Sequence, residues 1–155
     1  MSKYYLFIAL FICLTACTGD KPYDELADAK AVIEQAASEA KLQNKPMVII
    51  FGANWCSDCR ALSTAIESGK DAANIAKEFK IVKVNVGNFD KNIEVANAYG
   101  NPIAGGIPGA AILTSDRKLL YVTNPGELST ALRGNDSGVY TLFTQHTVAP
   151  AIKVH

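Results

Sequence analysis

This chain has little charge imbalance to exploit. Its 15 Lys and Arg offset 15 Asp and Glu over 155 residues, with no basic patch or acidic tail. Nothing therefore points to nucleic acid or a polyanionic partner. Histidine is scarce: His146 and His155 lie near the C-terminus, and neither has a partner at ligand spacing. Zinc and copper sites need further soft ligands, so both histidines read as surface residues. The chain has no internal repeat and no low-complexity tract, and its length suits one domain plus a leader.

No apolar run reaches the roughly 20 residues of a spanning helix. The longest, Tyr4 to Ala16, follows Lys3 and fits the core of a secretory signal. A buried N-terminal helix or strand is the alternative. Leu14-Thr15-Ala16-Cys17 resembles the lipobox of bacterial lipoproteins. That resemblance implies removal of residues 1–16, lipidation of Cys17, a tether over 17–22 and a folded domain over 23–155. In such proteins an aspartate after the cysteine often signals retention in the inner membrane. Thr18 stands there here, which favours anchoring at the outer membrane, in the periplasm. Ordinary cleavage after Ala16 would instead leave a soluble protein.

Cysteine is equally sparse. Of four, Cys13 lies in the apolar run and Cys17 at the processing site, which leaves only Cys56 and Cys59 for the folded domain. Secreted domains held together by disulfides carry several widely spaced pairs. A bridge between residues three positions apart constrains the unfolded chain little, so stability is not its expected purpose.

Periodicity outlines the rest. Asp24 to Leu42 reads as a helix with Leu26, Ile33, Ala37 and Ala40 along one side, ended by Asn44-Lys45-Pro46. Met47 to Phe51 is a continuous apolar run, as expected of a strand covered on both faces. Helices follow over Cys56 to Ser68 and Asp71 to Phe79, a strand over Ile81 to Val86 and a helix over Asn92 to Tyr99. Ala110 to Leu113 and Leu119 to Val122 form a hairpin, and Glu127 to Leu132 and Ser137 to His146 are closing helices. Strands alternating with helices imply an α/β domain with a largely parallel sheet, to which the hairpin adds an antiparallel edge.

The segment Phe51 to Arg60 sits where a buried strand passes into a helix. Unpaired N–H groups and partial positive charge at a helix N-terminus favour thiolate over thiol. Residues at i and i+3 share a helix face, so the two sulfurs can close a disulfide. Cys56, at the helix end, is the expected nucleophile. Cys59, one turn inward, is expected to attack the mixed disulfide and release product. An inert disulfide and a metal clip are the competing readings of the pair. Asp58 adds a favourable charge to the first turn but opposes the Cys56 thiolate, and Arg60 either offsets this or points to solvent. Trp55 is expected to pack partly on the sheet while shielding the site. Tyr99 and Tyr121 read as packing residues, and Gly105, Gly106 and Gly109 as backbone necessities near a tight bend.

Trp55, Cys56 and Cys59 together resemble the W-C-x-x-C motif of the thioredoxin superfamily, and Ile107-Pro108 resembles its downstream site-shaping proline. The resemblance spans about Lys45 to Gln145. It implies the thioredoxin fold, a central mixed sheet flanked by helices. It also implies a cis peptide at Pro108 packed beside the cysteines, with Ile107 pairing to bound polypeptide. Lys83 matches a lysine beside the family's buried site. Ile50 stands where thioredoxin has a buried acid, so proton removal from Cys59 falls to water or to Asp58. Ser57-Asp58 is similar to the W-C-x-D-C subset, whose substrates vary.

The function so implied is a periplasmic thiol–disulfide oxidoreductase. It would act on protein or small-thiol substrates, need no bound cofactor and draw on another thiol protein or a membrane electron carrier as redox partner. Two other classes fit the same residues: a thiolate-pair module handling copper or zinc, and a non-catalytic interaction domain.

Overall fold

The computed structural model describes residues 21–134 and 137–147. The apolar leader, Cys13, Cys17 and His155 lie outside the described residues.

The chain enters the domain through Tyr23 and forms α1 over Ala29–Gln43. The helix starts later than its apolar pattern suggests, and two aspartates explain why. Asp28 Oδ1 accepts from the backbone N–H groups of Lys30 and Ala31 at 3.0 and 3.2 Å, which caps the helix there. Upstream, Asp24 Oδ1 accepts from Leu26 N at 2.9 Å, a local bond that competes with helix. Leu26, expected on the buried side, is 96 % exposed, whereas Ile33, Ala37 and Ala40 are buried. Asn44 closes the helix in the left-handed conformation, at φ 51°.

Strand β1 (Met47–Gly52) leads to α2 (Ser57–Ser68) and α3 (Ala72–Glu78), then β2 (Lys80–Asn85) and the short α4 (Ile93–Ala98). Strands β3 (Gly109–Leu113) and β4 (Leu119–Val122) form the hairpin, and α5 (Glu127–Gly134) and α6 (Gly138–Gln145) close the domain. The four strands form one sheet in the order β2-β1-β3-β4. Only β1 and β2 are parallel; β1 with β3 and β3 with β4 are antiparallel. The sheet is therefore mixed but not largely parallel. A parallel β3 would require the connection to carry the chain back along the full strand. The six residues of α4 rise only about 9 Å, so β3 begins at the end of the sheet where β2 stops and runs back from there.

Every residue of β1 is buried, and its side chains alternate between two cores. Met47, Ile49 and Phe51 pack with α1, Val82, Val84, Ala111 and Leu113. Val48 and Ile50 pack with Leu62, Ile75, Leu128 and Phe143 from the helices on the opposite face. This double covering fixes the direction in which β1 delivers the chain to α2.

At the end of β1, Gly52 admits the ring of Tyr23. A Cβ at position 52 would lie 2.5 Å from the Tyr23 Cζ and Oη atoms. Gly52→Ala therefore forces the ring aside and should cost about 1–3 kcal/mol, as overpacking of a filled core does. Urea unfolding should show a lower midpoint; an unchanged midpoint would mean that the ring has room to spare.

Candidate active site

Cys56 is the N-cap residue of α2. Its backbone is extended, at φ −77° and ψ 117°, and its sulfur lies 3.2 Å from the Cys59 backbone N–H, which donates to it. The residue that begins the helix thus places its own sulfur among the helix's unpaired donors. Cys56 and Cys59 are joined as a disulfide with Cα atoms 5.2 Å apart. Cys56 is 7 % exposed and Cys59 fully buried.

The Ile107–Pro108 peptide is cis, as the resemblance implied. The Ile107 carbonyl oxygen lies 3.8 Å from the Cys56 sulfur, and the Ile107 side chain packs against the cysteines. Two nearby glycines make this approach possible. Gly106 has φ 117°, a conformation that L side chains rarely adopt. Gly109 sits so close to the Pro102 carbonyl that no Cβ fits.

Trp55 departs from expectation. It is 56 % exposed, and its indole N–H donates to the Gly87 carbonyl at 2.8 Å. Its ring meets Phe89 edge-on, with centroids 6.3 Å apart. The indole lies over the 87–89 loop and not on the sheet, because the Gly87 carbonyl supplies the partner its N–H needs. Phe89 is exposed at φ 61°; with Trp55 it presents an aromatic pair beside the cysteines.

The charged candidates turn to other partners. Asp58 accepts from Arg133 at 3.1 Å, and hydrogen bonds from Ser129 and Arg133 hold its carboxyl below the usual range. Its carboxylate thus serves the α2–α5 contact. Lys83 donates to Ser63 Oγ at 2.7 Å and pairs with Glu67, further along α2 than Cys59. Arg60 does not project freely into solvent: it donates to the Asn54 carbonyl at 2.7 Å and ties the helix to the loop before it. Ile50 is a core residue packed with Leu62 and Ile112, so no acid stands at that position. His146 is half-buried and stacks on Tyr121 with centroids 3.5 Å apart, which replaces the surface reading. Among the described residues, no three His, Cys, Asp or Glu side chains gather as a metal site.

Sequence reasoning missed Tyr23 and Asn54. Asn54 accepts from Tyr23 N at 3.0 Å and donates to the Tyr23 carbonyl at 2.8 Å. A third bond joins its amide to Glu25 and lowers the Glu25 carboxyl pKa. This clamp holds the entering chain against the active-site loop. The Tyr23 ring packs with Cys56 and Cys59 in one buried cluster. Gly52 at the end of a strand was the available signal, since strand glycines mark close approach by another group.

Residues 28–115 match the family model described as thioredoxin-like. A solved disulphide isomerase from Xylella fastidiosa Temecula1 is 46 % identical. That match covers 83 % of this chain and 98 % of the other, with a TM-score of 0.77. A thioredoxin from Rickettsia bellii is 32 % identical over 73 residues, covering 46 % of this chain and 65 % of the thioredoxin. The thiol:disulfide interchange protein DsbD of Campylobacter jejuni is 27 % identical over 74 residues, covering 45 % of this chain but only 13 % of DsbD. Together with the disulfide at the head of α2, these likenesses support thiol–disulfide oxidoreductase activity, and the chain belongs to the thioredoxin-like family.

Proposed function

We propose that the protein is a thiol–disulfide oxidoreductase of the periplasm, tethered to the outer membrane through a lipid on Cys17. One observation carries the chemistry: the Cys56 sulfur occupies the N-cap of α2 and receives the Cys59 N–H. In the reduced protein the same geometry favours the Cys56 thiolate. That thiolate attacks one sulfur of a substrate disulfide. The substrate S–S bond breaks, and its other sulfur leaves as thiolate with the bonding electron pair. The Cys59 thiolate then attacks Cys56 and displaces the first substrate sulfur. The substrate gains two electrons and the pair becomes the disulfide; run backwards, the steps oxidise a substrate.

Ile107 and Pro108 border Cys56 on one side, and the Ile107 backbone would pair there with an extended substrate segment. Trp55 offers the substrate an apolar contact. Lys83 and Asp58 would act only indirectly, as modulators, through Ser63 and Glu67 or through α5. A further thiol protein would reset the pair, as the interchange and thioredoxin relatives suggest. Placement in the periplasm rests on the apolar leader and lipobox-like residues and on the Dsb-type relatives.

Cys59→Ser should accumulate mixed disulfides, because serine cannot displace the sulfur held on Cys56. Reducible high-mass adducts with consistent partners should appear in cells and vanish when Cys56→Ser is added. Equal behaviour of the two single variants, or no adduct under oxidising or reducing growth, would contradict the proposal.

The anchor is tested separately. Mass spectrometry of the membrane fraction should find a lipidated Cys17 as the first residue. A soluble protein with an unmodified N-terminus would remove the anchor and leave the redox chemistry standing.

A further inference from the structure

Tyr23 is an odd residue to bury beside a cysteine pair. It is 1 % exposed, its ring packs with Cys56 and Cys59, and its hydroxyl oxygen has no hydrogen-bond partner. Burying an unpaired hydroxyl is unfavourable, and phenylalanine would fill the same space without that cost. The position of the ring is built with care nonetheless. Asn54 fixes the Tyr23 backbone on both its N–H and its carbonyl. Gly52 leaves the gap into which the phenol passes. The hydroxyl also senses the Glu67 carboxylate. Cys59, Ser63 and Glu67 follow one another at i, i+4, i+8 along α2, so they share a face of that helix. The phenol therefore lies on the side of α2 that carries Cys59.

We infer that the Tyr23 hydroxyl is held in reserve for the reduced state, where it donates a hydrogen bond to the Cys59 sulfur. A disulfide sulfur is a weak acceptor and leaves the hydroxyl unpaired, whereas a thiolate is a strong one. Reduction of the pair breaks the S–S bond and leaves two electrons on the sulfurs. Cys56 keeps the charge as thiolate and Cys59 takes up a proton; when Cys59 gives that proton up to act as the resolving thiolate, the phenol packed beside it donates to it. The phenol keeps its own proton throughout, because burial, and secondarily the Glu67 charge, push its pKa well up. Of the neighbouring charged groups, Glu67 is ion-paired with Lys83, and Ile50 brings no acid from the β1 side. Tyr23 thus stabilises the reduced pair once Cys59 is ionised and supports Cys59 as the resolving thiolate.

The test is Tyr23→Phe, which deletes the hydroxyl and keeps the ring. The intact protein is equilibrated with a glutathione series at a pH high enough to ionise both thiols, and the melting temperature of each redox form is measured there. Loss of the donor should shift the equilibrium about tenfold towards the disulfide, equivalent to a potential about 30 mV more negative. The oxidised variant should melt no lower than the wild type, because it sheds an unpaired polar group, while the reduced variant should melt lower. An unmoved potential, or equal loss of stability in both forms, would make Tyr23 a packing residue and overturn the inference. The inference rests on the pair being redox-active. Wild-type protein that fails to equilibrate with glutathione overturns both readings; normal wild-type equilibration with an unmoved Tyr23→Phe potential overturns this one alone.

Discussion

The contact between the Cys56 sulfur and the Cys59 backbone N–H, 3.2 Å across the first turn of α2, is the interaction on which the rest of the structure converges. It exists because β1 is covered on both faces and ends at a fixed place and angle, and because α2 starts there with no side-chain cap other than the cysteine itself. A serine or aspartate cap would satisfy the same donors with oxygen. With sulfur in that place, the helix's free N–H groups act on a titratable group instead, the one proposed as the nucleophile.

Everything around this turn either holds it still or leaves it open. Arg60 and Asn54 bind the loop before the helix, while Asp58 and Arg133 join its first turn to α5. Ile107 brings a backbone carbonyl to the sulfur from the other side of the site. Beside the pair stand Trp55 and Phe89, two exposed rings in edge-on contact.

Much of this was legible in the sequence because it depends on local pattern. The continuous run Met47 to Phe51 announced a doubly covered strand, and Cys56 and Cys59 one turn apart announced a shared helix face. What escaped detection depends on local capping at the start of α1 and otherwise on long-range pairing. Leu26 looked like part of an apolar stripe, but Asp24 and Asp28 make local bonds that delay the helix. The direction of β3 follows from how little distance α4 covers. Lys83 and Asp58 read as modulators of the pair but are engaged by Glu67 and Arg133, and Trp55 stays beside the pair but turns its N–H to Gly87 and not its ring to the sheet. Tyr23 lies 33 residues before Cys56 in the chain, and only the clamp by Asn54 brings it to the pair.

The central claim is that the head of α2 turns Cys56 into a stabilised thiolate, and the titration of that thiol tests it most directly. Thiolate absorbance or the pH dependence of alkylation, measured on reduced protein with Cys59 replaced by serine, isolates the Cys56 ionisation. The account predicts a pKa within roughly 3.5–7.5, as for activated cysteines at helix N-termini. A value at or above about 8.5, that of an ordinary free cysteine, would contradict it.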